Sequence, residues 1–296
     1  MKKASKNDTV AIVVTYNRIK LLQECIEALK KNGCDILIID NASTDGTKET
    51  IASKYKKDVI YINTGANLGG AGGFNFGIRK AYELGYKFFW IMDDDCIVRE
   101  NTLKEFKKAD KKYCGNYGFL SSKVLWKDGT ICKMNIPKRT FGSWLRVEKI
   151  DKNTKIAMAS FVSLFIKSEV VREFGLPIKD FFIWTDDWEF TRRISRKKNC
   201  YYIPTSVVTH KSNNNIGADL SNENGERLER FKYLYRNDYV LYRREGVRGL
   251  ILLRLRIAKH ILKILTSRNN DKMKRIKIMH SALRTGKKYN PEIEYV

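Results

Sequence analysis

The sequence predicts an α/β protein in which short parallel strands alternate with helices covering both faces of a sheet. Three observations lead there. Short apolar, β-branched runs alternate with segments of helical spacing from residue 9 to residue 92. The polar clusters of the first half fall where those strands end, the edge at which open α/β sheets take their ligands. The fourth run, Phe88 to Met92, is almost wholly apolar and closes on Asp93-Asp94-Asp95.

The elements follow in order. Residues 9–15 form a β-branched strand that ends in Tyr16-Asn17-Arg18, and residues 19–31 carry apolar side chains at 22, 26 and 29, a helical spacing. A second strand over 35–39 ends in Asp40-Asn41, a helix covers 47–57, and a third strand over 59–63 ends at Asn63. A helix over 73–84 and a strand over 87–92 complete the regular half. Beyond it the pattern loosens. Strands are expected over 119–126 and 159–166, short helices over 169–174 and 186–197, and a strand-like run Ser206-Val207-Val208-Thr209 before His210. Residues 213–225 read as a polar, Asn-rich mobile loop, and 227–244 and 250–265 as helices. No internal repeat is present. The expected division is a catalytic domain over 1–226 and a basic helical region over 227–296.

Composition bounds the function. A chain of 296 residues can bury one large core, or one domain with an appendage, and 43% hydrophobic with 11% aromatic residues argues against disorder. The six cysteines (25, 34, 96, 114, 132 and 200) show no CxxC pair or ligand spacing, so reduced structural thiols are expected. The polar N-terminus, Met1 to Asp8, reads as lacking a signal peptide. No apolar run approaches the roughly 20 residues needed to cross a bilayer. The net charge of +24 is unevenly placed: 241–288 holds 15 Lys/Arg against two acids, a local +13, and implies a polyanionic partner for that segment.

Several clusters carry candidate chemistry. Three uncompensated carboxylates at Asp93-Asp94-Asp95 would repel one another and lose hydration, so they belong at an exposed strand end or around a cation. Hard Mg²⁺ or Mn²⁺ takes such oxygen ligands and bridges phosphates. An acidic turn leading into a helix near Glu100 is the alternative, which the surroundings weigh against. The glycine-rich segment from Gly65 to Gly73 opens a helix whose exposed N–H groups suit phosphate. It is not a GxGxxG fingerprint after the first strand, so hydride transfer is not supported. Asp40 is favoured for ligand contact, whereas Asp45 is expected to cap the following helix. In Trp184-Thr185-Asp186-Asp187-Trp188-Glu189 one carboxylate near an aromatic wall can act as general base; the alternative is an acid-decorated helix N-terminus. His210 would suit Mn²⁺ as a third ligand beside carboxylates, although a lone histidine is more often structural.

Together the motifs Val13-Val14-Thr15-Tyr16-Asn17-Arg18, Asp40 to Thr47, Asn67 to Gly73, Asp93-Asp94-Asp95 and Asp186-Asp187-Trp188-Glu189 resemble family 2 glycosyltransferases, in the order that family shows. The triple aspartate, the tryptophan before the second acidic pair and the later histidine look like its galactofuranosyl- and rhamnosyltransferase branch. The resemblance covers roughly residues 9 to 212. It implies a GT-A fold, a Rossmann-like nucleotide-binding sheet merged with an acceptor-binding half, and inversion at the anomeric carbon in one displacement. It also implies that Thr15, Tyr16, Arg18 and Asp40 line the nucleoside pocket, with Asn67, Gly69 and Gly70 near the diphosphate. Asp93 and Asp94 would contact the nucleotide sugar, and Asp93, Asp95 and His210 would hold Mn²⁺ or Mg²⁺. Asp187 would be the base, with Asp186 the runner-up, and Trp184 and Trp188 would offer an apolar surface to a sugar ring. Large galactofuranan polymerases of this branch carry flanking domains that this chain lacks, so addition of one or a few sugars is expected.

Over 247–265 apolar residues fall at 247, 251, 255, 258, 262 and 265, with Arg248, Arg256, Lys259 and Lys263 away from them. This is the pattern of an interfacial helix on an anionic membrane, the alternative being a helix packed on the catalytic domain. The expected partners are therefore a nucleotide-sugar donor and a lipid-linked glycan acceptor at the cytoplasmic face of the cell membrane. UDP-galactofuranose is the first choice of donor and dTDP-rhamnose the second. A nucleic-acid-binding protein is disfavoured by the two acidic clusters and the lack of a recognisable module. A sugar-nucleotide hydrolase or nucleotidyltransferase remains a competitor that could share the fold.

Overall fold

The computed structural model describes residues 7–142 and 152–296; the N-terminal residues 1–6 read above lie outside them. The chain order begins β1 (Thr9–Thr15), α1 (Ile19–Lys30), β2 (Asp35–Asp40), α2 (Thr47–Thr50) with a π-helical continuation, β3 (Ile60–Asn63), α3 (Gly69–Glu83) and β4 (Phe88–Asp93). The second half holds β5 (Cys96–Val98), α4 (Thr102–Lys112), β6 (Phe119–Trp126), β7 (Thr154–Ile156), β8 (Leu164–Lys167), α5 (Ser168–Phe174), α6 (Asp186–Ser195) and β9 (Cys200–His210). Three helices follow: α7 (Glu226–Arg243), α8 (Gly246–Thr266) and α9 (Lys272–Lys288).

One sheet runs in the order β3-β2-β1-β4-β8-β6-β9-β5, with β7 also on β9. The β3-β2-β1-β4 half is parallel, as the strand–helix alternation predicts. Every residue of β1 is buried, which explains its composition, β-branched at all positions but Ala11: a central parallel strand is covered on both faces. One face packs Val10, Ile12 and Val14 against α3, the other packs Ala11 and Val13 against α1. The β8 pairings turn the sheet antiparallel on either side, to β4 and to β6.

Two expectations are corrected. The strand expected over 159–166 is only Leu164–Lys167, because Ser163 adopts φ 61° and breaks the extended run. Helix α3 begins at Gly69, not 73, so the glycines form its first turn. Helix α9 falls within the helical region expected over 227–296, but no helix is placed there by residue spacing. Its buried face is Arg275, Met279, Ala282 and Gly286, too polar and too small to show an apolar period. Gly286 lets α9 approach α7 closely, since a Cβ there would lie 2.7 Å from Tyr239 Cβ.

The helices α7, α8 and α9 pack together through Leu228, Phe231, Leu234, Tyr235, Ile264, Met279 and Ala282. They join the sheet through Val240 against Ala71 and Phe181, and through Trp184 against Phe231, with ring centroids 5.1 Å apart. No helix among the described residues is long and apolar enough to cross a membrane.

Candidate active site

Strand register assembles the first acidic cluster. β1 pairs with β4 so that Val14 opposes Asp93, which carries the next residues, Thr15 and Asp94, side by side. Thr15 Oγ1 donates to Asp94 Oδ2 at 2.7 Å. β5 pairs with β9 so that Cys96 opposes His210, which brings the imidazole to Asp95 although 115 residues separate them. His210 Nε2 lies 3.0 Å from Asp95 Oδ1, and Arg18 Nη1 donates to Asp95 Oδ2 at 2.7 Å while lying 3.5 Å from Asp94.

The three carboxyls therefore differ. Burial and the neighbouring Asp95 push Asp93 up to about 6, against the pull of His210 and Arg18. Burial and Asp95 push Asp94 up to about 7. For Asp95 the effect of burial is outweighed by His210 and Arg18, which hold it below the ordinary carboxylate range. Burial alone would lower His210, but Asp95, Cys132 and Asp93 raise it to about 10.

The donor set fits a divalent cation. Asp93, Asp95 and His210 offer ligand atoms that all lie within 4.8 Å of one another. His210 Nδ1 lies 2.8 Å from Asn135 Oδ1, an acceptor, so Nδ1 carries the hydrogen. In the neutral ring that leaves the Nε2 lone pair facing Asp95 Oδ1, a buried oxygen without a hydrogen bond of good geometry. Two lone pairs aimed at each other require a proton or a metal between them. No local pattern in the sequence marks Asn135; it ends the 3₁₀ turn Lys133–Asn135 that follows β6, with its side chain held by Cys132 and Ser160.

The second cluster starts α6. Asp186 is buried, Asp187 is half-buried, and Asp187 Oδ1 accepts from the Trp188 N–H at 2.7 Å. Burial pushes Asp186 up to about 7. Burial and then Asp186 push Asp187 well above the ordinary carboxylate range. The charge of Asp93 bears on both, so the two clusters lie near enough to interact electrostatically.

The remaining expected residues are distributed as follows. Tyr16 is exposed. Asn67 Oδ1 accepts from the Gly69 N–H at 2.9 Å and so steadies the start of α3. Gly70 faces open space, but a Cβ on Gly69, at φ 70°, would meet the Phe182 carbonyl oxygen at 2.1 Å. The close approach that Gly69 permits is therefore to the protein's own backbone, not to a ligand. Asp40 also differs from expectation. It is fully buried and accepts from the Ser43 amide and hydroxyl, from Tyr61 Oη at 2.6 Å and from Asn63, so its contacts go to organising the loop that follows β2. Asp45 reaches past its own helix to accept the Ile19 N–H at the start of α1, as well as the Thr47 hydroxyl. Trp184 and Trp188 are half-buried, Trp184 on Phe231 and Trp188 among Phe141, Tyr242 and Leu253 with Lys138 Nζ 5.6 Å from its ring.

Residues 10–122 match the profile described as Glycosyl transferase family 2. The chain is 24% identical over 205 residues to the galactofuranosyltransferase GlfT1 of Mycolicibacterium smegmatis, a match covering 63% of this chain and 65% of that protein. It is 32% identical over 96 residues to the dTDP-rhamnosyl transferase RfbF of Shigella flexneri, covering 32% of each. The chain thus spans less than two thirds of either relative. Among solved structures, S. aureus TarS 1-349 in complex with UDP-GlcNAc superposes with a TM-score of 0.56 at 15% identity, over 95% of this chain and 73% of that one, a likeness of fold. The sheet with its carboxylates at the strand ends has the GT-A fold, and over residues 10–122 the chain is similar to the family 2 glycosyltransferases.

Proposed function

We propose that this protein is an inverting, divalent-metal-dependent hexosyltransferase that passes one sugar from a nucleotide donor to a lipid-linked glycan at a cytoplasmic membrane surface. The observation that carries this reading is the meeting of the two acidic clusters, one with a cationic and imidazole partner and one without either. Asp93, Asp95 and His210 would hold Mn²⁺ or Mg²⁺, which when bound neutralises charge on the departing nucleoside diphosphate. Thr15 and Arg18, which contact the first cluster, would bind the nucleoside with the neighbouring Tyr16, and Asp40 would fix the loop beside them. The α3 N-terminus, at Gly70, would face the diphosphate. Asp187, half-buried and raised by burial, would take the proton of the acceptor hydroxyl as that oxygen attacks the anomeric carbon from the face opposite the leaving group. Asp186 would keep the site dry and share its charge.

UDP-galactofuranose is the favoured donor because the GlfT1 match extends over 63% of the chain; dTDP-rhamnose is the second reading, supported by the higher local identity to RfbF. The membrane part of the proposal rests on α8. Val247, Ile251, Leu255, Leu262 and Leu265 are half or more exposed, so the apolar stripe faces outward. The flanking cations are fewer than expected: Arg256 turns to Asp238 and Lys263 to Asp219, leaving Arg248, Arg254 and Arg268 among the candidates for headgroups. Incubation of the protein with Mn²⁺ and a panel of nucleotide sugars, with and without a glycolipid acceptor, tests the reading. Sugar transfer supports it; donor hydrolysis that no acceptor suppresses, or no turnover of any donor, overturns it.

A further inference from the structure

The loop that delivers Asp186 and Asp187 is backbone-strained. Phe182, Trp184 and Thr185, none of them glycine, stand at φ 64°, 64° and 69°. Side chains in this region are sterically disfavoured and persist only where surrounding contacts over-determine them. Those contacts come from α7. Asn237 Nδ2 donates to the carbonyls of Phe181 at 3.0 Å, Ile183 at 3.1 Å and Trp184 at 2.9 Å. With two hydrogens for three acceptors, one N–H is shared, and the fully buried amide has no other donor role left. The next residue, Asp238, accepts from Thr185 Oγ1 at 2.9 Å, and its second oxygen pairs with Arg256 Nε of α8 at 3.0 Å. Arg236 adds donations to the carbonyls of Asp180, at 2.6 Å, and Phe181. From the other side, the Ala71 N–H in the first turn of α3 donates to the Phe182 carbonyl at 3.1 Å.

We propose that Asn237 and Asp238 of α7, with Thr185 as their target, are positioning residues for the acceptor half of the reaction. They hold the 181–185 loop in its strained form so that α6 starts with Asp187 aimed at the site. The C-terminal helices are then part of the catalytic apparatus, and Arg256 links the outward-facing helix α8 to the loop through Asp238. The inference rests on the assignment of the base to the Asp186-Asp187 pair. Both polar residues fall in phase with the apolar stripe Phe231, Leu234, Tyr235, Leu241, which marks them as buried before any contact is known.

The test combines hydrogen–deuterium exchange, nucleotide binding and turnover on the full chain with Asn237→Ala, Thr185→Val and Thr185→Ser. Thr185→Val keeps the shape and removes the hydroxyl; Thr185→Ser restores it. Exchange at amides 182–189 is expected to rise about tenfold in Asn237→Ala and Thr185→Val and to stay at the parental rate in Thr185→Ser. Turnover is expected to fall by about 10²-fold in the first two, as for a misplaced catalytic group, with the KM for donor and the affinity for UDP or dTDP with Mn²⁺ unchanged. Should Asn237→Ala fail to fold, the valine–serine pair decides alone. Parental exchange and turnover in Thr185→Val overturn the clamp, as does an equal loss in Thr185→Ser. Full turnover in Asp187→Asn instead removes the base assignment and leaves the exchange result standing.

Discussion

The two acidic clusters are made of the same residue, and Asp95 of the first comes out with chemistry opposite to that of the second pair. Asp95 sits between an arginine and an imidazole and stays ionised; Asp186 and Asp187 have no ion pair among the described residues and are pushed upward by burial. The difference is one of partners. A carboxylate that meets fixed positive charge holds its own negative charge and can bind a cation, whereas one that meets only amide dipoles and apolar walls holds a proton more tightly and can exchange it. The fold supplies the first environment at the ends of β4 and β9 and the second at the start of α6.

The contrast can be broken by substitution. Asp187→Asn is expected to lower turnover by about 10³-fold, within the 10²–10⁴ range of a general base, while UDP binding with Mn²⁺ by calorimetry stays within about twofold. A larger loss in Asp186→Asn would exchange the two roles. On the other side, Asn135→Ala is expected to weaken Mn²⁺ binding by about 10–100-fold, because His210 loses the acceptor that fixes its tautomer. His210→Ala should lose at least as much, and unchanged Mn²⁺ affinity in both, read by the electron paramagnetic resonance of free ion, would separate the histidine from the metal.

A pH profile sharpens the comparison further. A base works only when deprotonated, so a raised carboxyl moves the acid limb of kcat upward from the usual value near 4. At saturating Mn²⁺ and donor, the acid limb of kcat is expected to lie well above 4, because burial and then Asp186 raise Asp187, with the limb absent from the residual activity of Asp187→Asn. A limb near 4 would mean that the second cluster is solvated during turnover. The smallest effect is expected at the outward face of α8, where each cation near a headgroup contributes on the order of 1 kcal/mol. The protein should sediment with anionic liposomes at low salt and be released at high salt, and Leu255→Glu with Leu262→Glu should abolish sedimentation without changing turnover of a soluble acceptor. Retention of those variants on liposomes would detach the stripe from membrane binding.

Much of this was legible from residue order. The parallel half of the sheet followed from β-branched runs at strand spacing, since a strand buried on both faces must be apolar throughout. Asp93 to Asp95, Asp186 and Asp187 announced themselves because clustered carboxylates are costly without a purpose. Some readings failed for reasons of space. Asp40 and Gly69 carry the right chemistry for a ligand, but their neighbours Tyr61, Ser43 and Phe182 arrive from distant positions and take those contacts. Arg256 reads as a surface cation on a helical wheel because nothing local reveals the Asp238 facing it.

The sequence by itself determined the strand–helix alternation, the strand ends that bear polar groups and the family resemblance over residues 10–122, because periodicity and short motifs are local properties of the chain. Tertiary structure alone decided which carboxylates are paired, that Asn135 orients His210, and that α7 grips the loop ahead of Asp186. Those properties depend on distances between residues 50 or more positions apart, and charge, burial and hydrogen-bond partners are fixed only once the backbone has closed around them.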